Sequence, residues 1–171
     1  LSHSYNASWH WQVVDNDRLR YSTSLGAFYN TVENMIGFGQ KPGNILITTY
    51  LNIDRYKTKG ATLRNNLKMG KFTASLGLSY IGRYNQYLES ANDLDEFTWS
   101  PEVISSLSYK VPKAGLILSL YHKYTGATPY YEIADVDGAQ TVRLATISGF
   151  HWADFSVQKD LLKDFILTAG V

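Results

Sequence analysis

Phe72-Thr73-Ala74-Ser75-Leu76-Gly77-Leu78-Ser79-Tyr80-Ile81-Gly82-Arg83 puts Phe72, Ala74, Leu76, Leu78 and Tyr80 on one parity and Thr73, Ser75, Gly77 and Ser79 on the other. Successive side chains leave a strand in opposite directions, so a period of two means one apolar and one polar face. The polar face is small and uncharged, whereas a soluble sheet is usually coated with Lys and Glu. A strand that is apolar outside and Ser/Thr/Gly inside suits a barrel held in lipid around a wet lumen.

The pattern recurs along the chain. Tyr5, Ala7, Trp9, Trp11 and Val13 alternate with Asn6, Ser8, His10 and Gln12, and Leu19, Tyr21, Thr23, Leu25, Ala27 and Tyr29 alternate with Arg20, Ser22, Ser24 and Gly26. Val103, Ser105, Leu107 and Tyr109 follow, then Leu116, Leu118 and Leu120, then Ala153, Phe155 and Val157. No segment holds apolar residues at helical spacing over three turns. The reading is all-β.

Composition narrows the classes without choosing among them. At 171 residues the chain has room for one domain. Its aromatic share of 14% comes largely from 13 Tyr and 4 Trp, amphipathic rings that favour membrane-water boundaries. A formal net charge of +1 argues against a nucleic-acid partner recognised by bulk charge. With no cysteine there is neither disulfide framework nor thiol site, which fits an exported bacterial protein. No apolar run reaches the roughly 20 residues of a spanning helix, but spanning strands need only about 9–11. The opening residues carry no signal-peptide pattern, and both ends read as cut within a strand, so a piece of a longer protein is expected.

Connections alternate in length. Short ones fall at Asp15-Asn16-Asp17, Lys68-Met69-Gly70-Lys71, 111–115 and 161–164, and long loops are expected at about 33–44, 88–97 and 131–142. In an up-and-down meander every second connection lies at the same end, the asymmetry of outer-membrane barrels. Asp137-Gly138 reads as a hairpin tip. The four prolines are expected outside strand interiors, with Pro101 at a strand start.

Charge tests the reading independently, because Lys or Arg facing lipid at mid-bilayer costs about 2–4 kcal/mol. Arg20, Arg83, Glu102, Lys110 and Lys123 share parity with the small polar residues, and Lys159 breaks it only beside a short turn. The conflict is Arg55-Tyr56-Lys57-Thr58-Lys59, whose basic residues share the parity of Ile45, Ile47, Leu51 and Ile53. Either a bulge near Gly60 resets the parity or the stretch stands beyond the membrane.

Chemical motifs are sparse. His3, His10, His122 and His151 lie on different strands without ligand spacing, so no metal or cofactor is expected. Gly37-Phe38-Gly39 lacks the strand-loop-helix setting of a phosphate loop and reads as outer loop. Asp93, Asp95 and Glu96 read as a solvated acidic loop. Tyr124-Thr125-Gly126 with Tyr130-Tyr131 reads either as a stacking surface for a ligand or as part of an aromatic girdle. The loop-region aromatics Tyr87, Trp99, Tyr130 and Tyr131 are the ligand-binding candidates. Nothing supports catalysis.

Several phrases, in this order, resemble the C-terminal part of a TonB-dependent outer-membrane receptor barrel: the run from Leu25-Gly26-Ala27-Phe28-Tyr29-Asn30 to Met35-Ile36, Asn52 through Lys57-Thr58-Lys59-Gly60, Phe97-Thr98-Trp99-Ser100-Pro101, Tyr124-Thr125-Gly126 before Pro129, and Asp154 followed by Ala169-Gly170-Val171. Thr62 departs from the pattern, which often places Glu after Gly60. The resemblance spans the chain. It implies an antiparallel, up-and-down transmembrane β-barrel segment of about eight strands, an open piece of a roughly 22-stranded plugged barrel. It further implies residence in the bacterial outer membrane, contact with its lipid, and uptake of a scarce nutrient (siderophore, corrinoid or glycan) bound at the outer loops. The TonB complex would act through a plug domain that 1–171 lacks, with the whole chain one partial barrel domain. Two other readings stand beside it: a complete eight-stranded outer-membrane barrel, which requires the first and last strands to pair, and a soluble lipocalin-like barrel, which requires Leu76, Leu78, Leu116, Leu118 and Leu120 to point into a dry centre.

Overall fold

The computed structural model describes residues 1–41, 44–84, 95–136, 139–162 and 165–171, with backbone alone at 35, 37–41, 44–55, 133, 135–136, 139–140 and 162. Its strands are β1 (Ser2–Asp15), β2 (Leu19–Lys41), β3 (Asn44–Met69), β4 (Phe72–Tyr84), β5 (Phe97–Val111), β6 (Leu116–Thr125), β7 (Thr128–Val136), β8 (Ala139–Ile147), β9 (Phe150–Leu162) and β10 (Phe165–Gly170). One 8-stranded sheet runs β1-β2-β3-β4-β5-β6-β9-β10, and β7-β8 form a separate hairpin. Every neighbouring pair is antiparallel. β1 and β10 are the two edges and do not pair with each other among the described residues, so the sheet is open rather than a closed eight-stranded barrel.

Local chemistry sets the tight turns. The Asn16 side-chain oxygen accepts the backbone N–H of Arg18 at 3.0 Å and of Leu19 at 2.8 Å, an Asx turn that reverses the chain into β2. Pro112–Ala114 form a single 3-10 turn into β6. The turn ends are staggered. Leu19 pairs with Met69, Met69 with Phe72, Phe72 with Tyr109, Tyr109 with Leu118 and Leu118 with Val157. The β3–β4 turn lies on that row, whereas β5 runs on to Val111 and β9 to Leu162. Such progressive stagger is what tilted strands need to close a barrel.

Register carries the sequence parity across the sheet. Trp9, Leu25, Leu63, Leu78, Val103, Tyr124 and His151 are successive partners on one face. Ser8, Gly26, Thr62, Ser79, Glu102, Thr125 and Phe150 are partners on the other. The polar face is knitted by side chains: Ser75 to Ser106 at 2.8 Å, Ser4 to Asn30 at 2.7 Å, Asn30 to Thr58 at 3.2 Å, and the Lys123–Glu102 ion pair at 3.5 Å. The apolar face is bare. Leu76, Leu78 and Leu120 are 40%, 38% and 44% exposed, and among the described residues the only buried apolar side chain is Phe97. Leu116 and Leu118 are half-buried rather than exposed, because Tyr109 and Val157 flank Leu118 and Val111 and Lys159 flank Leu116 in the ladder. Among the described residues there is no dry centre. A face this apolar is stable only when something other than water covers it.

Two loop expectations are corrected and one open alternative is decided; Pro101, expected at a strand start, is the fifth residue of β5, tolerated because the β5–β6 ladder ends beside it. The loop expected at 33–44 is largely strand: β2 and β3 keep pairing through Gly37↔Leu51, Phe38↔Tyr50 and Gly39↔Thr49, so Gly37-Phe38-Gly39 is ladder rather than outer loop. Extended residues that can satisfy each other's backbone groups have no reason to stop pairing at a membrane boundary. β3 has 26 residues, roughly 85 Å along the strand at about 3.3 Å each, far beyond a ~30 Å hydrocarbon layer. The loop expected at 131–142 belongs to the β7–β8 hairpin, paired from Thr128↔Ile147 to Val136↔Ala139, with Asp137-Gly138 outside the described residues. No bulge stands at Gly60, since β2 and β3 stay in register through Phe28↔Gly60 to Glu33↔Arg55.

Candidate functional site

The tight turns gather at one end of the sheet, and the other end carries the long strand extensions and the β7–β8 hairpin. A proline and a glycine release that hairpin. β6 pairs with β5 up to Thr125↔Glu102, after which the Gly126 N–H donates to the Pro101 carbonyl at 2.8 Å. Pro101 has no N–H to return the bond, so the ladder ends there and the chain leaves the sheet. A Cβ on Gly126 would stand 2.5 Å from Pro101 Cγ, so only glycine permits this approach. β7 then rests against β5, and the chain re-enters the sheet as β9 beside β6.

Beneath the hairpin Tyr56, Arg83, Tyr84, Thr98, Thr128, Pro129, Tyr130 and Tyr131 line an open cleft of about 210 Å³. Arg83 donates from Nη1 to the buried Ser100 hydroxyl at 2.5 Å. Among the described residues no carboxylate lies within ion-pair distance of its guanidinium. Tyr131 accepts the Asp95 backbone N–H at 3.3 Å, tying the hairpin to the approach to β5. Tyr130 donates to Glu132 Oε2 at 3.2 Å, and Glu132 also holds Arg143 at 2.7 Å. The Glu132 charge beside it raises the Tyr130 phenol above its ordinary value of 10.0. Tyr rings with one guanidinium that has no carboxylate partner among the described residues make a surface for flat or anionic groups. The volume is below the roughly 300–1,000 Å³ of a complete small-molecule pocket, as one wall of a larger site would be.

The four aromatic candidates separate. Tyr130 and Tyr131 meet in the cleft, while Tyr87 lies outside the described residues. Trp99 is on the apolar face, stacked on Tyr80 with centroids 4.9 Å apart and planes 12° apart. A Cβ on Gly82 would meet its indole at 3.1 Å, so the ring lies across that glycine. Asp93, of the acidic run, is outside the described residues, and Glu96 pairs with Lys57 at 2.6 Å. That hydrogen bond raises the Lys57 ammonium above its ordinary 10.5.

Sequence reasoning missed two arrangements. Arg83 and Tyr56 become cleft residues only once β3, β4 and the hairpin converge. His122 and His151 become neighbours, with Nε2 to Nδ1 at 3.0 Å, because β6 and β9 pair across the excluded hairpin. Among the described residues no group of His, Cys, Asp and Glu is large enough to hold a metal ion.

A family profile described as TonB dependent receptor-like, beta-barrel matches residues 1–171. Among solved structures the chain is similar to the FrpB iron transporter from Neisseria meningitidis (F3-3 variant), with a TM-score of 0.61 at 15% identity. That likeness covers 94% of this chain and 25% of the transporter, so the chain spans about a quarter of the transporter's length. No curated protein matches the chain.

Proposed function

Because the chain belongs to the TonB-dependent receptor-like β-barrel family, we propose that it forms a sector of the wall of an outer-membrane receptor that imports a scarce nutrient. One observation carries this reading. The leucine-bearing face is exposed while the opposite face is polar and hydrogen-bonded, as lipid outside and a wet lumen inside require. The rest of the wall, and the plug through which the TonB complex pulls, belong to other parts of the receptor.

The mouth cleft contributes one wall of the ligand site, with Tyr130 and Tyr131 as ring contacts and Arg83 as the anion contact. Of a siderophore, a corrinoid and a glycan, an anionic ferric chelate best suits a guanidinium with no carboxylate partner among the described residues. The likeness to an iron transporter points the same way. Trp99, on the lipid side, serves the aromatic girdle.

Uptake by cells tests the reading. Cells making the intact receptor accumulate a radiolabelled ferric chelate, and collapsing the proton-motive force stops accumulation. If loss of the receptor changes the uptake of no ferric chelate, corrinoid or glycan, the proposal is wrong.

A further inference from the structure

We propose that Lys59 binds the phosphate of an anionic lipid in the outer leaflet, an inference that rests on the membrane reading above. Lys59 faces the apolar side, because β3 stays in register with β2 and β4 through this stretch and nothing resets its parity. Its ladder partners are Tyr29 and Gly82, and the row continues to Tyr5 on one side and Trp99 on the other. The ammonium lies 3.8 Å from the Phe97 ring centroid and 5.4 Å from that of Trp99.

The row has the depth of a bilayer boundary. Tyr109 and Trp99 face the same side of β5, each two residues in from an end of the strand. Ten residues at about 3.3 Å, tilted by roughly 45°, rise about 23 Å, close to the ~25 Å apolar band of such barrels. Lys59 therefore stands where acyl chains give way to headgroups.

Lys59 differs from Lys57, its neighbour on this face, in having no anion beside it among the described residues. Lys57, next on the same face, is neutralised by Glu96 at 2.6 Å, whereas Lys59 has no carboxylate within ion-pair distance among the described residues. Its flanking rings hold the ammonium by cation–π contact at the interface and shield its stem from water. A compact ammonium at this depth complements a lipid phosphate, the anion that a membrane presents there.

The test uses the intact receptor in phosphatidylethanolamine bilayers doped with diphosphorylated lipid A or with the same lipid stripped of phosphate, retained lipid being counted by native mass spectrometry. Wild type and Lys59→Arg retain the phosphorylated lipid about fivefold better than Lys59→Gln, the attraction of one lysine to an anionic headgroup. Lys113→Gln, at the tight-turn end, matches wild type. Equal retention of the two lipids by wild type overturns the proposal without needing any variant to fold, and so does unchanged retention by Lys59→Gln. A receptor that stays dissolved without detergent and enters none of these bilayers overturns the membrane reading itself.

Discussion

Trp99 lies flat on Tyr80, with ring centroids 4.9 Å apart and planes inclined by 12°. The two residues are diagonal neighbours on the apolar face, since Tyr80 pairs with Pro101 and Gly82 with Trp99. Two amphipathic rings so joined mark a water boundary, and Lys59 lies in the same row. The basic stretch that breaks the parity rule therefore begins where the rule stops applying. Beyond the girdle a lysine on the outer face costs about 0–1 kcal/mol instead of 2–4.

The stack depends on the empty space above Gly82. A Cβ there meets the indole at 3.1 Å, and a valine adds two methyl groups to that contact. Gly82→Val is expected to push Trp99 off Tyr80, losing an aromatic pair of about 0.5–1.5 kcal/mol and adding overpacking of similar size. The β-branched side chain recovers part of this through strand propensity. Thermal unfolding of the receptor in detergent, with tryptophan emission as the probe, checks it; an unchanged midpoint and spectrum count against the stacking geometry.

The hairpin's departure gives a second test. Gly126→Ala places a methyl 2.5 Å from Pro101 Cγ and 2.8 Å from the Pro101 carbonyl oxygen, so the chain must shift at the root of β7. The main sheet pairs without this segment, so the damage falls on the cleft. Stability falls by about 1–3 kcal/mol, and ligand affinity falls further than in a variant at the opposite end such as Lys113→Gln. Calorimetric titration of the ligand found by the uptake assay reads the difference. Equal affinities separate the cleft from binding.

What the sequence discloses is what alternation and turn chemistry encode locally. The faces of β4 follow from Phe72 to Tyr80 alone, the Asn16 turn from its own side chain, and the lumen placement of Arg20, Arg83, Glu102 and Lys123 from parity. What stays hidden depends on pairing between segments. Gly37-Phe38-Gly39 has loop composition and becomes strand only because 49–51 satisfies its backbone. His122 meets His151 because Pro101 and Gly126 expel the chain between them. Trp99 shares a loop-flanking position with Tyr130, and the pleat sends it to the other face.

Alkaline pH probes the hairpin. The Glu132 carboxylate disfavours the Tyr130 phenolate and accepts its hydrogen bond, so Tyr130 titrates above 10.0, with Arg143 opposing in part. A folded-state value above the unfolded one means stabilisation is fully present below about pH 10 and is lost as pH rises through the folded value. Lys57, raised above 10.5 chiefly by its hydrogen bond to Glu96, likewise loses its contribution as pH rises through its folded value. Glu132→Gln is expected to lower the Tyr130 value, seen as phenolate absorbance appearing earlier in an alkaline titration and absent in Tyr130→Phe. Titration curves of wild type and Glu132→Gln that superimpose would contradict the contact.

Adjacent residues at the centre of β4 separate lipid from lumen most sharply. Leu76 is 40% exposed on the apolar face between Phe72 and Tyr80, and Ser75 bonds Ser106 at 2.8 Å on the polar face. In water both sites would accept arginine at similar cost, since neither is buried. In a bilayer they differ by the transfer of a charge into hydrocarbon. Leu76→Arg should cost about 2–4 kcal/mol of folding stability in liposomes, whereas Ser75→Arg loses one exposed hydrogen bond, about 0.5–1.5 kcal/mol, and keeps its charge wet. Denaturant titration of the receptor in bilayers measures both. Equal costs, or a larger one at Ser75, would mean that the leucine face does not meet lipid, and the receptor reading would fall with it.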